Sequence, residues 1–411
     1  METLCTLDLI LDGLPFHCNP ICYICFMNYI LFDDNRQHLL PLTFTRPVAD
    51  IRLGILTISE KWQKALSSSI SFSTEEYLRK KFPLKISADN IWINGSVCPD
   101  DNLLKEIHSL SINQCLKKGE VLLAFRSKDA VIPDSKIDYV HEVVQLSRLW
   151  QIFQLNADFI SSDFEMLTKG RKSQAISSTN ATTNPENIFI EEGAVVEHAI
   201  LNASSGPIYI GKDAEIMEGS LVRGPLAMCD HSVLKMGAKI YGATTLGPYC
   251  KVGGEVNNSV LLGYSNKGHD GFLGNSVIGE WCNLGADTNN SNLKNNYAEV
   301  KLWNYTINRF ESSGLQFCGL IMGDHSKCGI NTMFNTGTVI GVSANIFGSG
   351  FPRNFVPSFS WGGASGYSTF QLRKVYEVAE KVMERRSKVF DEVEKGIIDS
   401  VFELTKSYRK D

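Results

Sequence analysis

Apolar residues recur at every sixth position along the middle of the chain. Ile210, Ile216, Val222, Met228, Leu234, Ile240, Leu246 and Val252 form one series, and Ala214, Ser220, Leu226, Ser232, Ala238, Thr244, Cys250 and Val256, mostly small, follow four residues after each. With 43% apolar residues overall, the first series arises by chance about once in a thousand for a given frame. Neither helical spacing nor strand alternation has a period of six. A six-residue beat predicts short strands that turn corners at a fixed interval, three faces to a coil, stacked as a parallel β-helix. The large aliphatic of each face points inward, and the small residue fits the corner. The frame extends upstream to Ile190 with Ala194 and Val196 with Ile200. It returns at Ile278 with Cys282, at Leu284 with Thr288, and at Met322, Cys328, Phe334, Ile340 and Ile346, whose small partners are Ser326, Thr332, Thr338 and Ala344. Phase is lost over 257–277 and 289–321, as expected where a solenoid loops residues out of a corner.

Other patterns flank the solenoid. "NYILF", "IWINGSV" and "GEVLLAFR" read as strands, while "ISEKWQKAL" and "SRLWQIFQLNADFISSDFEML" carry helical spacing. Alternating strands and helices predict an α/β domain over 27–186, closed by the polar, turn-rich linker Ser177–Asn187. The β-helix is expected over 187–350. Residues 351–411 then hold a Gly-, Pro- and aromatic-rich loop and one amphipathic helix, capped by Ser368 or Thr369 and packed on the solenoid flank or on a sister subunit.

Charge narrows the partners. A net charge of −5, with no basic block, argues against a nucleic-acid polymer but leaves room for a small anion held by a few local cations. Eleven scattered cysteines suit reduced thiols in a cytoplasmic protein. Cys18, Cys22 and Cys25 cluster without matching a zinc-ligand spacing. Residues 1–26 read as an extension upstream of a start at Met27, since Asp8 and Asp12 break the pattern of a signal peptide. No apolar run is long enough to span a membrane.

One residue interrupts the beat with chemistry. His269 stands between Gly268 and Gly271 at the end of the first excursion. An imidazole titrates near neutrality and can take a proton from an attacking amine or hydroxyl; a loop histidine bonded to backbone is the plainer alternative. Metal chemistry of a carbonic-anhydrase-like kind needs converging imidazoles, and His198, His231 and His325 lack the short spacing for it. A non-catalytic solenoid that binds along its face remains a third reading.

The run "GHDGFLGNSVIGEWCNLGADTNNSN" resembles, without a gap, the acyltransferase half of the bifunctional uridyltransferase/acetyltransferases of the GlmU type. The matching residues are Gly268, His269, Phe272, Leu273, Gly274, Ile278, Gly279, Asn283, Leu284, Gly285, Ala286, Thr288 and Asn292. The resemblance implies a left-handed β-helix and a homotrimer with sites between subunits. His269 would then be the general base for N-acetylation of an amino-sugar phosphate of the glucosamine-1-phosphate type. Asn283, Asn292, Phe272 and Lys301 would contact sugar phosphate and acetyl-CoA. Phe272 stands where the family has tyrosine, and Leu293 and Ala298 replace a further tyrosine and lysine, with Lys294 and Lys301 flanking.

"LLPLTFTRPVADIRLGILTISEKW" resembles the opening of sugar-1-phosphate nucleotidyltransferases, and the whole chain resembles a bacterial variant group that joins such a domain to the hexapeptide half. That implies attack of a sugar-1-phosphate on a nucleoside triphosphate with Mg2+, and nucleotide contacts from Arg36, Arg46 and Arg52. The Gly-rich G-x-G-T-R loop is replaced by "LFDDNRQ", so a degenerate or regulatory domain stands beside the catalytic reading. A nucleotidyltransferase that uses its β-helix only for trimer assembly is the alternative.

Overall fold

A computed structural model describes residues 27–409; the expected N-terminal extension and its four cysteines lie outside the described residues. The six-residue beat closes into a three-sided prism, a left-handed parallel β-helix. One face stacks nine strands from Ile188–Ile190 to Phe355–Val356. A second stacks ten, ending in the antiparallel pair Ser360–Gly363 and Gly366–Thr369. The third stacks six, from Ala181–Thr183 to Phe272–Gly274. All eight residues of the Ile210–Val252 series are buried, as are their eight followers, because strand alternation sends every second side chain to the axis.

Three details depart from the expected frame. No residues loop out over 257–277: the strands there stay in register with the preceding coils, 15 to 17 residues after their partners instead of 18, so phase is lost because the coils shorten. Ile200 points outward and is 50% exposed, while Leu201 takes the inward place, because the step from Val196 to Leu201 is one residue shorter than the matching step from Ile216 to Val222. Ala181–Thr183 already pairs with Ile200–Asn202, so the solenoid begins inside the stretch expected as a linker.

The front domain is a six-stranded sheet. Asn28–Phe32 sits between Ile70–Ser73 and Asn90–Asn94, parallel to both, and Val121–Ser127, Gln114–Lys118 and Ser135–Asp138 extend it. Helix α1 (Ile58–Leu66) starts at a capping box, Thr57 with Glu60, which satisfies two orphan N–H groups reciprocally. Helix α2 (Asp101–Ser109) starts at the Asp100 cap. The "SRLWQIF…" stretch folds as α3 (Gln151–Gln154) and α4 (Asn156–Thr168).

Helix α4 fastens this domain to the prism. Asn156 accepts the Gly54 N–H and donates to the Ala243 carbonyl, while Thr245 donates to the Gly54 carbonyl. The second excursion returns toward the front domain as the hairpin Lys301–Asn304/Arg309–Ser312, with Tyr305 edge-on to Phe44 and Glu311 beside Arg148.

The expected single C-terminal helix is two, α5 (Leu372–Glu384) and α6 (Glu392–Leu404). Ser387 takes a left-handed backbone between them and Asp391 caps the second. Ser368 and Thr369 belong to the last strand, and Gln371 holds the N-cap position. The pair packs against the solenoid, with Phe359 edge-on to Phe402, and reaches the front domain through Lys81–Glu394. The seven cysteines among the described residues are unpaired and buried. No helix among those residues is long and apolar enough to cross a membrane.

Candidate functional site

Strand alternation builds the candidate site. In the ten-stranded face Lys251, Asn266, Asn283 and Lys327 stand side by side in register. Their neighbours Val252, Leu284 and Cys328 point to the axis, so these four face outward. Opposite them runs the end of α5. Between the two lies a cleft of about 610 Å3, lined also by His269, Lys235, Arg385 and Arg386.

The aromatic wall of the cleft comes from one edge of the prism. Tyr249, Tyr264, Trp281 and His325 occupy successive corners with positive φ, a conformation that costs a non-glycine residue about 1–3 kcal/mol. Ring stacking offsets it: Tyr264 lies 5.2 Å from Tyr249 and 4.2 Å from Trp281. Tyr264 and Trp281 line the cleft.

None of the lining residues is acidic. Burial, then repulsion from Arg386, Lys235 and Arg385, lowers the Lys251 ammonium below its ordinary range. Burial pushes Lys327 down to about 8. Arg386 donates to Asn266 Oδ1 at 3.1 Å, while its buried Nε has no protein partner. Five cations without a carboxylate form an anion site.

His269 is exposed at the mouth of this cleft. Gly271 fixes the corner: its φ is +112°, and a Cβ there would meet the Thr288 carbonyl oxygen at 2.2 Å. Gly268 has open space where a side chain would go, so its part is to keep the cleft open.

The sequence candidates divide. His269 and Asn283 share the cleft. Phe272 and Asn292 lie together on the neighbouring face, both against Gly274, with Asn292 donating to Asn275 Oδ1 at 2.8 Å. Lys301 opens the hairpin and lines a separate cleft of about 570 Å3 with Trp303, Phe310 and Arg353. The lysines on the cleft floor were missed, although Lys251 and Lys327 each precede an inward hexad position and could have been found there. Arg385 and Arg386 have no such signal, because only the fold of the C-terminal helices brings them over.

The front-domain arginines are engaged within the protein. Arg36 donates to Asp33 at 3.0 Å, to the Thr43 and Arg46 carbonyls, and to Tyr77. Arg46, 3% exposed, reaches the solenoid, where it pairs with Asp324 and with Glu280 at 3.3 Å; Thr45 donates to Asp324 as well. Arg52 is buried against the Ile55 carbonyl and Glu60.

At the carboxyl ends of the parallel strands, where open α/β sheets place ligands, Asp34 accepts from Asn94 and Gln145. The hairpin covers the adjoining Gln37–Leu40 and Arg148–Trp150, leaving a space of about 10 Å3. Asp33 is committed to Arg36, Thr74 and the Val48 N–H. Among the described residues no three His, Cys, Asp or Glu side chains gather in a way that could hold a metal ion. The two carboxylates at these strand ends, Asp33 and Asp34, are both engaged by protein donors.

Comparison with known proteins adds to this geometry. The family model for sugar nucleotidyl transferases matches residues 29–172. No curated protein matches the sequence. Among solved structures, the UDP-N-acetylglucosamine acyltransferase of Francisella novicida is 12% identical, with a TM-score of 0.28 over 55% of this chain and 90% of that one. The Campylobacter jejuni UDP-N-acetylglucosamine acyltransferase is 15% identical, with a TM-score of 0.24 over 58% and 86%. AntD, an N-acyltransferase from Bacillus cereus crystallised with dTDP and 3-hydroxybutyryl-CoA, is 13% identical, with a TM-score of 0.22 over 51% and 92%. The chain thus joins a sugar nucleotidyltransferase-like domain to a left-handed β-helix.

Proposed function

We propose that the β-helix carries out N-acylation of a phosphorylated amino sugar, with acetyl-CoA as donor and His269 as general base. The observation that carries this reading is the placement of an exposed imidazole and Asn283 at a cleft with five cations and no acid. The cations hold the phosphates of donor or acceptor, and Tyr264 and Trp281 offer a flat wall to a ring. The amine nitrogen attacks the thioester carbonyl carbon while its proton passes to the imidazole. The C–S bond then breaks, and the departing thiolate takes that proton and leaves as coenzyme A thiol. The thioester is already activated, so holding the two reactants together with one base suffices.

The acceptor in this reading is of the glucosamine-1-phosphate type, as in the GlmU-like enzymes. The active assembly is a homotrimer in which Asn292, Phe272 and Lys301 serve the site of a neighbouring copy. Large exposed apolar side chains on the prism, Met236, Leu221 and Ile330 among them, support burial against other copies; analytical ultracentrifugation tests it.

His269→Ala should cut acetyl transfer by about 10^2–10^4-fold, read as thiol release from acetyl-CoA and glucosamine-1-phosphate. An undiminished rate sinks the general-base role.

The family match over residues 29–172 favours a second activity, nucleotidyl transfer from a nucleoside triphosphate with Mg2+ to the sugar-1-phosphate. It requires the hairpin to lift from the strand ends and Arg36, Arg46 or Arg52 to exchange partners. Pyrophosphate release with each nucleoside triphosphate and sugar-1-phosphate pair tests it, and silence with every pair ends it. Release of pyrophosphate without any acetyl transfer would instead leave the β-helix as an assembly module.

A further inference from the structure

The inward column that ends each turn of the ten-stranded face is apolar at Ile216, Leu234, Val252 and Leu284, but at one coil it is a lysine. Lys267 pairs in register with Val252 and is 1% exposed. A charged side chain has no place in an aliphatic axis unless its head is fully hydrogen-bonded. Here the stem fills the volume that valine or leucine fills in neighbouring coils, and Nζ turns toward the corner. It donates to the Gly253 carbonyl at 3.0 Å and to the His269 carbonyl at 2.7 Å.

That second bond sets the lysine apart. His269 sits on the corner between the inward Lys267 and Leu273, which are six residues apart as elsewhere in the beat, and nothing about the stacking of coils calls for a cation at that point, since Leu284 serves one coil on. Gly271 determines how the chain turns after His269; Lys267 fixes the peptide carrying the imidazole from beneath. Burial also pushes its ammonium down to about 8, the cost of that placement.

We propose that Lys267 is a positioning residue: it anchors the His269 backbone from inside the prism, so that the imidazole meets the acceptor amine at the cleft mouth. The inference rests on His269 being the general base of acyl transfer. Substrate contacts on the cleft floor come from other residues, so losing the anchor should slow the chemical step without loosening binding. Removing a buried charge in favour of an apolar chain of similar length should leave stability equal or higher.

Three full-length proteins test this: Lys267→Met, His269→Ala and the double variant, each assayed for thiol release and for thermal unfolding. Lys267→Met should lower kcat by about 10–100-fold, the cost of a misplaced reacting group, with both KM values within about twofold and an unfolding temperature no lower than that of the parent. The double variant should be no slower than His269→Ala. Parent-level kcat in Lys267→Met, with His269→Ala inactive, overturns the anchor and leaves the general base standing. Full activity in His269→Ala overturns both. Should Lys267→Met not fold, Lys267→Gln, which keeps a donor at the head, is held to the same kcat and KM split. Failure of both to fold makes the lysine a requirement of the prism and overturns the proposal.

Discussion

Beside α5 the solenoid gathers five cations around a cleft without a carboxylate, whereas in the front domain Arg36, Arg46 and Arg52 each lie against a carboxylate. The residue types are the same and the consequences opposite. A guanidinium with its acid partner is part of the scaffold, and a set of cations that repel one another is a place for a ligand. An account of where charge is left unbalanced therefore points to the β-helix as the chemically prepared region, and to the front domain as one whose strand ends are packed.

The largest effect that could break this contrast lies at the junction. Arg46→Met leaves Asp324, itself buried, facing Glu280 without a cation, and breaking a buried pair costs about 3–5 kcal/mol. Denaturant unfolding of the full chain should show that loss, and adding Asp324→Leu should restore much of it. A loss below about 1 kcal/mol would mean that Arg46 is free for other work, nucleotide included.

His325 sharpens the same point through pH. Burial, with Lys327, Lys81 and Arg46 nearby and only Glu280 opposing them, pushes its imidazole down to about 3. A base whose folded value is depressed contributes stability that is present above its ordinary value near 6.5 and is lost as pH falls toward 3. The loss is about 1.4 kcal/mol per pH unit in that window. His325→Phe, which keeps a ring on the Trp281 stack, should flatten the acid limb of stability between pH 6 and 4. An unchanged limb would place the acid sensitivity elsewhere.

The cleft predicts the reverse of the junction. Lys251→Met relieves repulsion with Lys235, Arg385 and Arg386, so stability should hold or rise slightly. Affinity for coenzyme A should meanwhile fall about tenfold, the weight of one charged hydrogen bond, and its dependence on salt should weaken. Calorimetric titration at two ionic strengths separates the effects. Unaltered affinity would move the anion elsewhere.

Much of the prism was legible because its period is geometric. One inward residue per face leaves a mark that survives any choice among Ile, Val, Leu and Met, and His269 was visible as an imidazole set between glycines where the apolar series is hard to follow. Asn283 was legible through its motif. The front-domain strands and α1 were readable from local pattern. What stayed hidden depends on distant segments meeting. The pairing of Arg46 with Asp324 joins residues 278 apart in the chain, and the approach of Arg386 to Asn266 needs α5 to cross the solenoid flank. Lys267 hid for another reason: a long stem passes for an aliphatic in the axis, and a charged residue in a sequence reads as surface.

The smallest test concerns the beat itself. Ile240 and Lys239 are neighbours in the strand Lys239–Tyr241, one buried and the other exposed. In register, Ile240 meets Val222 on one side and Val256 on the other, three inward residues of one column. Removing one methylene there leaves a gap that stacked coils cannot close without shifting a whole face, so Ile240→Val should cost about 1 kcal/mol. Lys239→Val adds a β-branched residue to an outward strand position and should stay within about 0.5 kcal/mol. The two are best compared by denaturant midpoint in one background, where errors of extrapolation cancel. Equal effects would show that the coil tolerates a slip of one residue, which exchanges its two sets of side chains, and the inward assignment of this column would fall with them.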